Sequence, residues 1–311
     1  AYSWGFSKNK GFTALAPGGG RGLTENSLSE AYNTGSTWIW NNTLSFDRTF
    51  GVHHVAALAG MSAEEGIAEW FNSGTAKNFS NQEKALRYFS NAGTFPDHPN
   101  GSADDYTLQA YFGRVSYEYD EKYLFAANIR RDGSSKFAPS KRWGTFPSVS
   151  AGWRISKEKF FDGVADLISD LKIRGSWGQL GNDKIDNYQF FSTISSVGSP
   201  TLNGDQFAAV AQNRLANNTI QWEFTTQTDL GIDINFLNNR LLFTADYYDK
   251  ETSDILVQVP LLSSYGVGVA PYRNAGTVSN TGFELSATYR SAGTKKFNYE
   301  VTASVATVKN K

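Results

Sequence analysis

Side chains that could do covalent or metal chemistry are few. The 311 residues hold three histidines (His53, His54, His98) and no cysteine. That removes disulfide scaffolds, thiolate metal sites and cysteine nucleophiles together. His53 and His54 are adjacent in an alternating stretch, so their imidazoles leave on opposite faces and cannot share one metal. Residues 97–105 (DHPNGSADD) gather oxygen ligands in what reads as a Gly-containing loop. Calcium takes such ligands, but the spacing and closing Glu of an EF-hand are missing. Gly18–Gly20 lacks the strand and helix context of a phosphate loop, and no G-x-S-x-G is present. No catalytic, metal or cofactor site is therefore expected. A net charge of −1 gives no electrostatic footprint for nucleic acid.

What remains is ring and charge chemistry. Aromatic rings offer flat apolar faces for a ligand or a partner protein. Trp70, Phe71, Phe207, Tyr265 and Tyr272 stand in stretches that read as external loops, and they are the predicted contacts; the alternative is internal loop packing. A second set is ionic: Glu118, Arg130, Arg154, Lys172, Arg174, Glu223, Asp229, Asp233, Asp246, Glu284, Arg290 and Glu300. These could line a solute path, but their mixed signs favour cross-strand pairing. In RRDGSS, Asp132-Gly133 is expected to turn the chain out of a strand, with a salt network at the loop base as the other reading.

The elements that must position these groups are strands. In residues 221–236 (QWEFTTQTDLGIDINF) every second residue, from Trp222 to Phe236, is apolar or Thr, and the residues between include no large apolar side chain. A strand sends the two sets to opposite faces. Sixteen residues far exceed the usual strand of roughly 5–6. The alternation recurs at 37–46, 53–60, 111–119, 123–129, 143–155, 171–177, 241–249, 283–290 and 297–305, which makes about ten strands. The connections alternate short (47–51, 120–122, 156–168, 237–239, 291–296) and long (61–104, 131–142, 179–220, 250–281). Aromatics flank the short ones, among them Phe46, Phe50, Tyr117, Tyr119, Tyr123, Trp153, Phe160, Phe161, Phe236, Phe243, Tyr289 and Phe297. Such rings settle at the headgroup level of a bilayer. No apolar run is long enough for a membrane helix. Greasy and wet faces with short turns opposite long loops describe an all-β, transmembrane, antiparallel up-and-down β-barrel. Two short helices are expected at 62–71, on a Ser cap with a Glu three residues later, and at 156–161.

On these strands the chain resembles a known family. NIRRDGSSKF (128–137), KRWGTFPSVSAGWR (141–154), LKIRGSWGQLG (171–181), WEFTTQTDLGID and LLFTADYYDK within 222–249, and NAGTVSNTGFELSATY (274–289) together look like the SusC/RagA family of TonB-dependent outer-membrane transporters. The likeness runs in order from about residue 104. It implies a 22-stranded barrel of which residues 1–311 supply part of one domain, with the lumenal plug and the signal peptide outside this sequence. It implies integral residence in the bacterial outer membrane, in contact with its lipid. It also implies energy relayed by a TonB complex through the plug, a SusD-like surface lipoprotein as a lid, and import of a bulky nutrient. An oligosaccharide comes first and a peptide second. The ionic face would then meet the plug as well as itself. Two other classes stand beside transport: a non-transporting receptor or structural barrel, and a membrane-embedded hydrolase, for which three histidines leave little choice of base.

Overall fold

The computed structural model describes residues 1–15, 25–196, 198, 200–203, 205–207, 209–291 and 297–311. Gly18–Gly20 lies outside them. The chain divides into two compact units, Ala1–Trp40 with Ala63–Thr107, and Asn41–Ser62 with Leu108–Lys311.

Among the described residues one antiparallel sheet contains β1 (Tyr2–Thr13), β2 (Ser27–Phe50), β3 (His53–Lys77), β4 (Asn100–Tyr119), β5 (Tyr123–Ser134), β6 (Trp143–Arg154), β7 (Ile168–Asn182), β12 (Glu223–Phe236), β13 (Leu241–Ser253), β16 (Val278–Arg290), β17 (Glu300–Ala306) and β18 (Lys309–Asn310). Short strands lie in the connections: β8 (Thr193–Ser196), β9 (Thr201–Leu202), β10 (Asp205–Gln206), β11 (Val210–Arg214), β14 (Leu256–Gln258) and β15 (Tyr272–Asn274). In the first unit the order is β1-β2-β3-β4. In the second it runs from β2 through β7 to β12-β13-β16-β17, with β18 also on β16. Each wall strand lies beside its sequence neighbour, as in an up-and-down barrel, and the order is a path rather than a closed ring.

All ten expected strands form, and several run far past the expected ends. β2 has 24 residues and β3 has 25. β1 went unread, although Tyr2, Trp4, Phe6 and Phe12 alternate in it, because Lys8 and Lys10 interrupt the apolar phase. The helix expected at 62–71 is instead strand within β3. The Trp38 indole donates to Glu65 (2.6 Å), the Thr34 hydroxyl to Glu69 (3.3 Å) and the Tyr106 hydroxyl to Glu64 (2.7 Å). Partners on both sides outweigh the local capping signal. Likewise Asp132-Gly133 does not turn: Asp132 pairs with Ala110 and Gly144 inside the sheet. The oxygen-rich stretch 97–105 is half strand, since β4 starts at Asn100. At 156–161 the helix takes the form of two 3₁₀ turns, Ile155–Lys157 and Lys159–Val164.

In the second unit the apolar face is organised in rows. Tyr111, Trp143, Trp177, Tyr247 and Phe283 lie toward the long loops, and Tyr117, Tyr119, Tyr123 and Trp153 lie toward the short turns. Between them stand Val115, Ile129, Val149, Ile173, Leu230 and Leu285, all exposed. Ten residues of β6 separate Trp143 from Trp153. At about 3.4 Å per residue and a tilt of about 45°, that is roughly 24 Å, the height of an outer-membrane apolar band. The row near the turns is a continuous ladder: His53 over Tyr119 (5.0 Å), Tyr119 over Tyr123 (6.2 Å), Tyr123 over Trp153 (6.4 Å). Phe161, read from the sequence as part of this row, is buried instead.

Among the described residues, buried apolar side chains gather in two clusters. One gathers Phe137, Phe146, Ile185, Ile220 and Trp222, the other Leu28, Ala76 and Phe79. Trp222 was expected on the greasy outer face. It is 6% exposed, and its indole donates to the Arg142 carbonyl (3.0 Å). It precedes the first residue of β12, so strand periodicity no longer governs it.

Candidate functional site

The second unit offers a polar inner face and a locked set of loops. On the inner face the Arg174 guanidinium bridges two strands, with Nε 3.1 Å from Asp233 and Nη2 2.7 Å from Asp246. Gly231 stands between them in register with both Arg174 and Asp246. A Cβ there would lie 2.3 Å from Asp246 Oδ1 and 2.6 Å from Arg174 Cζ, so a larger residue would make the ends of both side chains shift. Asp229 accepts from Ser176 (3.2 Å) and Gln227 (2.8 Å), and Asn128 donates to Ser148 (3.1 Å). Of these contacts, the Arg174 bridge to Asp233 and Asp246 is a cross-strand pairing of opposite charges. Clefts open on this face, two of them along β4 to β7. One of about 370 Å³ is lined by His54, Arg114, Glu118, Lys172 and Arg174. The other, of about 490 Å³, is lined by Asn128, Arg130, Asp132, Ser148 and Gln227. His53 and His54 do separate: His53 meets the Tyr117 hydroxyl (2.8 Å) and His54 meets Asp47 (3.0 Å).

The long connections of this unit are bound to one another. Asn274 donates to the carbonyls of Gln221 (2.8 Å) and Asp254 (2.9 Å) and accepts from the Gln221 amide (2.9 Å). Asn217 donates to the Tyr272 carbonyl (2.7 Å), and the Val269 amide donates to that of Asn213 (2.9 Å). Ser134 donates to Asp183 (2.8 Å) at a loop base, whereas Arg130 pairs with Asp132 along its own strand (2.8 Å). Phe137 and Trp222, ring centroids 5.3 Å apart, fill the middle. An asparagine supplying a donor and an acceptor at one point acts as a short piece of false strand, leaving few backbone groups unpaired.

The predicted contact residues fall in different places. Phe207 and Tyr265 are exposed on the connections of the second unit. Tyr272 lies in β15 and packs against the Phe137–Trp222 core. Trp70 and Phe71 lie within β3 rather than in a loop, on opposite faces by strand alternation. Phe71 sits 6.3 Å from the Tyr32 ring in the first unit.

The first unit carries a charged cluster that the sequence did not single out. Glu30 is 8% exposed and accepts from Lys8 (3.2 Å), Lys10 (3.0 Å) and the Tyr32 hydroxyl (2.7 Å). It stands twenty residues along β2 from Phe50, more than the roughly 9–11 residues a strand needs to cross a bilayer. Burial pushes its carboxyl up, but the Tyr32, Lys10 and Lys8 donors outweigh that and hold it down at about 2.

Comparison with known proteins decides the family. The family model described as "TonB dependent receptor-like, beta-barrel" matches residues 1–311. The chain is a member of that family. It is 33% identical over 98% of its length to TonB-dependent receptor P3 of Formosa agariphila, covering 30% of that protein. It is 33% identical over 64% of its length to TonB-dependent receptor SusC of Bacteroides thetaiotaomicron, covering 20% of it. Its fold matches the solved structure of the RagAB peptide transporter over the whole chain, with a TM-score of 0.85, 22% identity and 33% coverage of that chain. The chain thus spans under a third of the length of these TonB-dependent receptors. The SusC/RagA resemblance and the barrel fold read from the sequence both hold. Glu30, Gly231 and Asn274 were missed: a buried carboxylate, a gap and a two-way amide each depend on a strand neighbour that no local pattern names.

Proposed function

We propose that residues 1–311 are part of the barrel wall of an outer-membrane transporter of SusC/RagA type. In this reading they form a portion of one barrel domain, and the plug and the TonB-contacting segment belong to the remainder of the full-length protein. The full-length protein imports a bulky nutrient, with an oligosaccharide as the first candidate. Import is powered through TonB, and a SusD-like lipoprotein closes over the loops. The observation that carries this reading is the family match across residues 1–311, joined to a sheet with one exposed apolar face and one hydrogen-bonded polar face. The protein's part in import is mechanical. The wall is stiffened where Arg174 ties β7 to β12 and β13, and the bound loops present Phe207, Tyr265 and Tyr272 to solute or lid, with Trp70 and Phe71 as further contacts. No bond is made or broken.

Peptide is the second reading, favoured by the fold match to a structure titled a peptide transporter. At 22% identity that match speaks to fold alone. A non-transporting receptor barrel is the remaining alternative. The test is uptake by cells producing the full-length protein, with labelled oligosaccharides and peptides offered separately, with and without the TonB system and the lipoprotein. TonB-dependent uptake of an oligosaccharide is expected. Uptake of peptides only would move the assignment to the second reading, and binding without uptake would support the receptor.

A further inference from the structure

The larger cleft on the inner face of the second unit holds groups that the stiffening of the wall does not use. Its middle is one row in register across four strands: Asn128 on β5, Ser148 on β6, Gly178 on β7 and Gln227 on β12. Ser148 and Gly178 are small, as are Ser150 and Ser176 one step toward the short turns, so the floor is low. A Cβ on Gly178 would lie 2.7 Å from the Ser148 Cβ. Three planar groups stand around this floor, and each is fixed at one end only. Asn128 Nδ2 donates to Ser148 (3.1 Å) and Gln227 Nε2 donates to Asp229 (2.8 Å). Both amide oxygens are left without a donor among the described residues. Arg130 Nε donates to Asp132 (2.8 Å), and the guanidinium lies over the Phe112 ring (5.4 Å). Its two Nη groups are left without an acceptor among the described residues, and half of the side chain stays in solvent. Leu180, 68% exposed, stands at the loop end of the cleft.

A ligand that fits must donate to two amide oxygens and accept from a guanidinium within one shallow basin of about 490 Å³, a size usual for small-molecule sites. No field of one sign calls for an ion. Arg130 is offset by Asp132, and Arg114 and Lys250 close the two ends of the row, in register with Asn128 and Gln227, with the Asp229 carboxylate between them. Adjacent hydroxyls on a sugar ring donate and accept at once, which answers this pattern, and the C–H edge of such a ring suits Leu180. An extended peptide would instead set apolar side chains on a floor of serine and glycine. Because the three planar groups are already held, little further ordering is needed to bind. We propose that Asn128, Arg130, Gln227 and Leu180 form a subsite for one neutral sugar ring of the solute. The inference rests on the oligosaccharide reading of transport and gives that solute a place on the wall itself.

The test is calorimetric titration of the purified full-length protein in detergent with neutral hexasaccharides of glucose, mannose or galactose, and with hexaalanine. The wild type binds at least one hexasaccharide more tightly than hexaalanine. Arg130→Met weakens that binding about tenfold, the effect of losing a hydrogen bond from a charged donor, and Gln227→Met weakens it about fivefold. Arg130→Lys keeps a cation beside Asp132 but lacks the paired donors, so it also weakens binding, whereas a purely structural ion pair would be restored by lysine. Unfolding midpoints confirm that the variants are folded, and Lys122→Gln, at a short turn, binds as the wild type does. Unchanged affinity in Arg130→Met and Gln227→Met overturns the inference, as it would if the plug covered the cleft. Tighter binding of hexaalanine, or no hexasaccharide binding by the wild type, overturns the sugar assignment. The transport reading fails separately: hexasaccharide binding that depends on Arg130 and Gln227, without TonB-dependent uptake by cells, would overturn import and uphold the subsite.

Discussion

Trp153 and Trp222 are the same residue type, one on the wall and one in the loops, and they do opposite things. Trp153 stands on the outer face, stacked on Tyr123, with its indole donating to Glu158 (3.2 Å). Trp222 is sealed among Phe137, Phe146 and Ile220. In the wall the apolar side chains are exposed and the polar ones face inward. Beyond the upper ring of aromatics the usual order returns, with dry cores and polar surfaces. The boundary between the two regimes marks where the apolar solvent ends. In water the wall face would be an aggregation surface, and in a bilayer it is ordinary contact with lipid.

Four experiments sharpen or break this contrast, all on the full-length protein. The largest effect is expected from Trp222→Ala, which removes about 3–5 kcal/mol from the loop core. Hydrogen exchange is expected to rise across 183–222 and 135–142 while β12 and β13 stay protected. Loss of protection in the wall as well would mean that the two regions share one cooperative unit. Next comes a pair of exposed leucines. Leu230 (59% exposed) lies on the wall and Leu262 (74%) on a loop. Leu230→Arg is expected to cost about 2–4 kcal/mol in a bilayer, whereas Leu262→Arg stays within about 0.5 kcal/mol. Equal costs in reversible unfolding from lipid vesicles would remove the distinction between the two faces.

A third, smaller effect concerns the inner face. Gly231→Ala forces Arg174 away from Asp246 and is expected to destabilise the wall by about 1–3 kcal/mol. The double variant with Arg174→Met should lose part of that cost, because the clash with the guanidinium disappears while the one with Asp246 remains. Independent, additive costs would show that the pair does not set the spacing. The smallest effect is pH-dependent and confined to the first unit. With its carboxyl held down at about 2, below the ordinary 4.5, Glu30 stabilises the fold fully above about pH 4.5. That contribution drains away as the pH falls toward 2, where the native carboxylate takes up its proton. Glu30→Gln should flatten the acid limb of exchange protection at Lys8 and Lys10, and an unchanged limb would locate the acid sensitivity elsewhere.

How much could be read in advance follows from what kind of signal each feature leaves. A period of two is a property of the chain alone, so the strands β4 to β7, β12, β13, β16 and β17 were legible, as was the alternation of short and long connections. β1 was hidden because Lys8 and Lys10 break the apolar phase. The segment at 62–71 misled because its capping pattern is local, whereas Trp38, Thr34 and Tyr106 arrive from distant positions to hold Glu65, Glu69 and Glu64. Asp132-Gly133 misled in the same way, since pairing on both edges suppressed a turn that the dipeptide favours. Of the predicted contact residues, Phe207 and Tyr265 are exposed on loops as expected, and Tyr272 lies at the edge of the loop core.

By itself the sequence determined that this is a wall: which side chains share a face along the strands, where the short turns lie, and that neither cysteine chemistry nor a shared histidine metal site was available. Only the tertiary structure decided where the wall ends and the packed loops begin, that Glu30 binds two lysines at once, and that Gly231 makes room for an ion pair. The reason is one of range. Alternation and turns are written within a few residues, whereas burial and charge pairing depend on neighbours tens of residues away, brought alongside by the register of the strands.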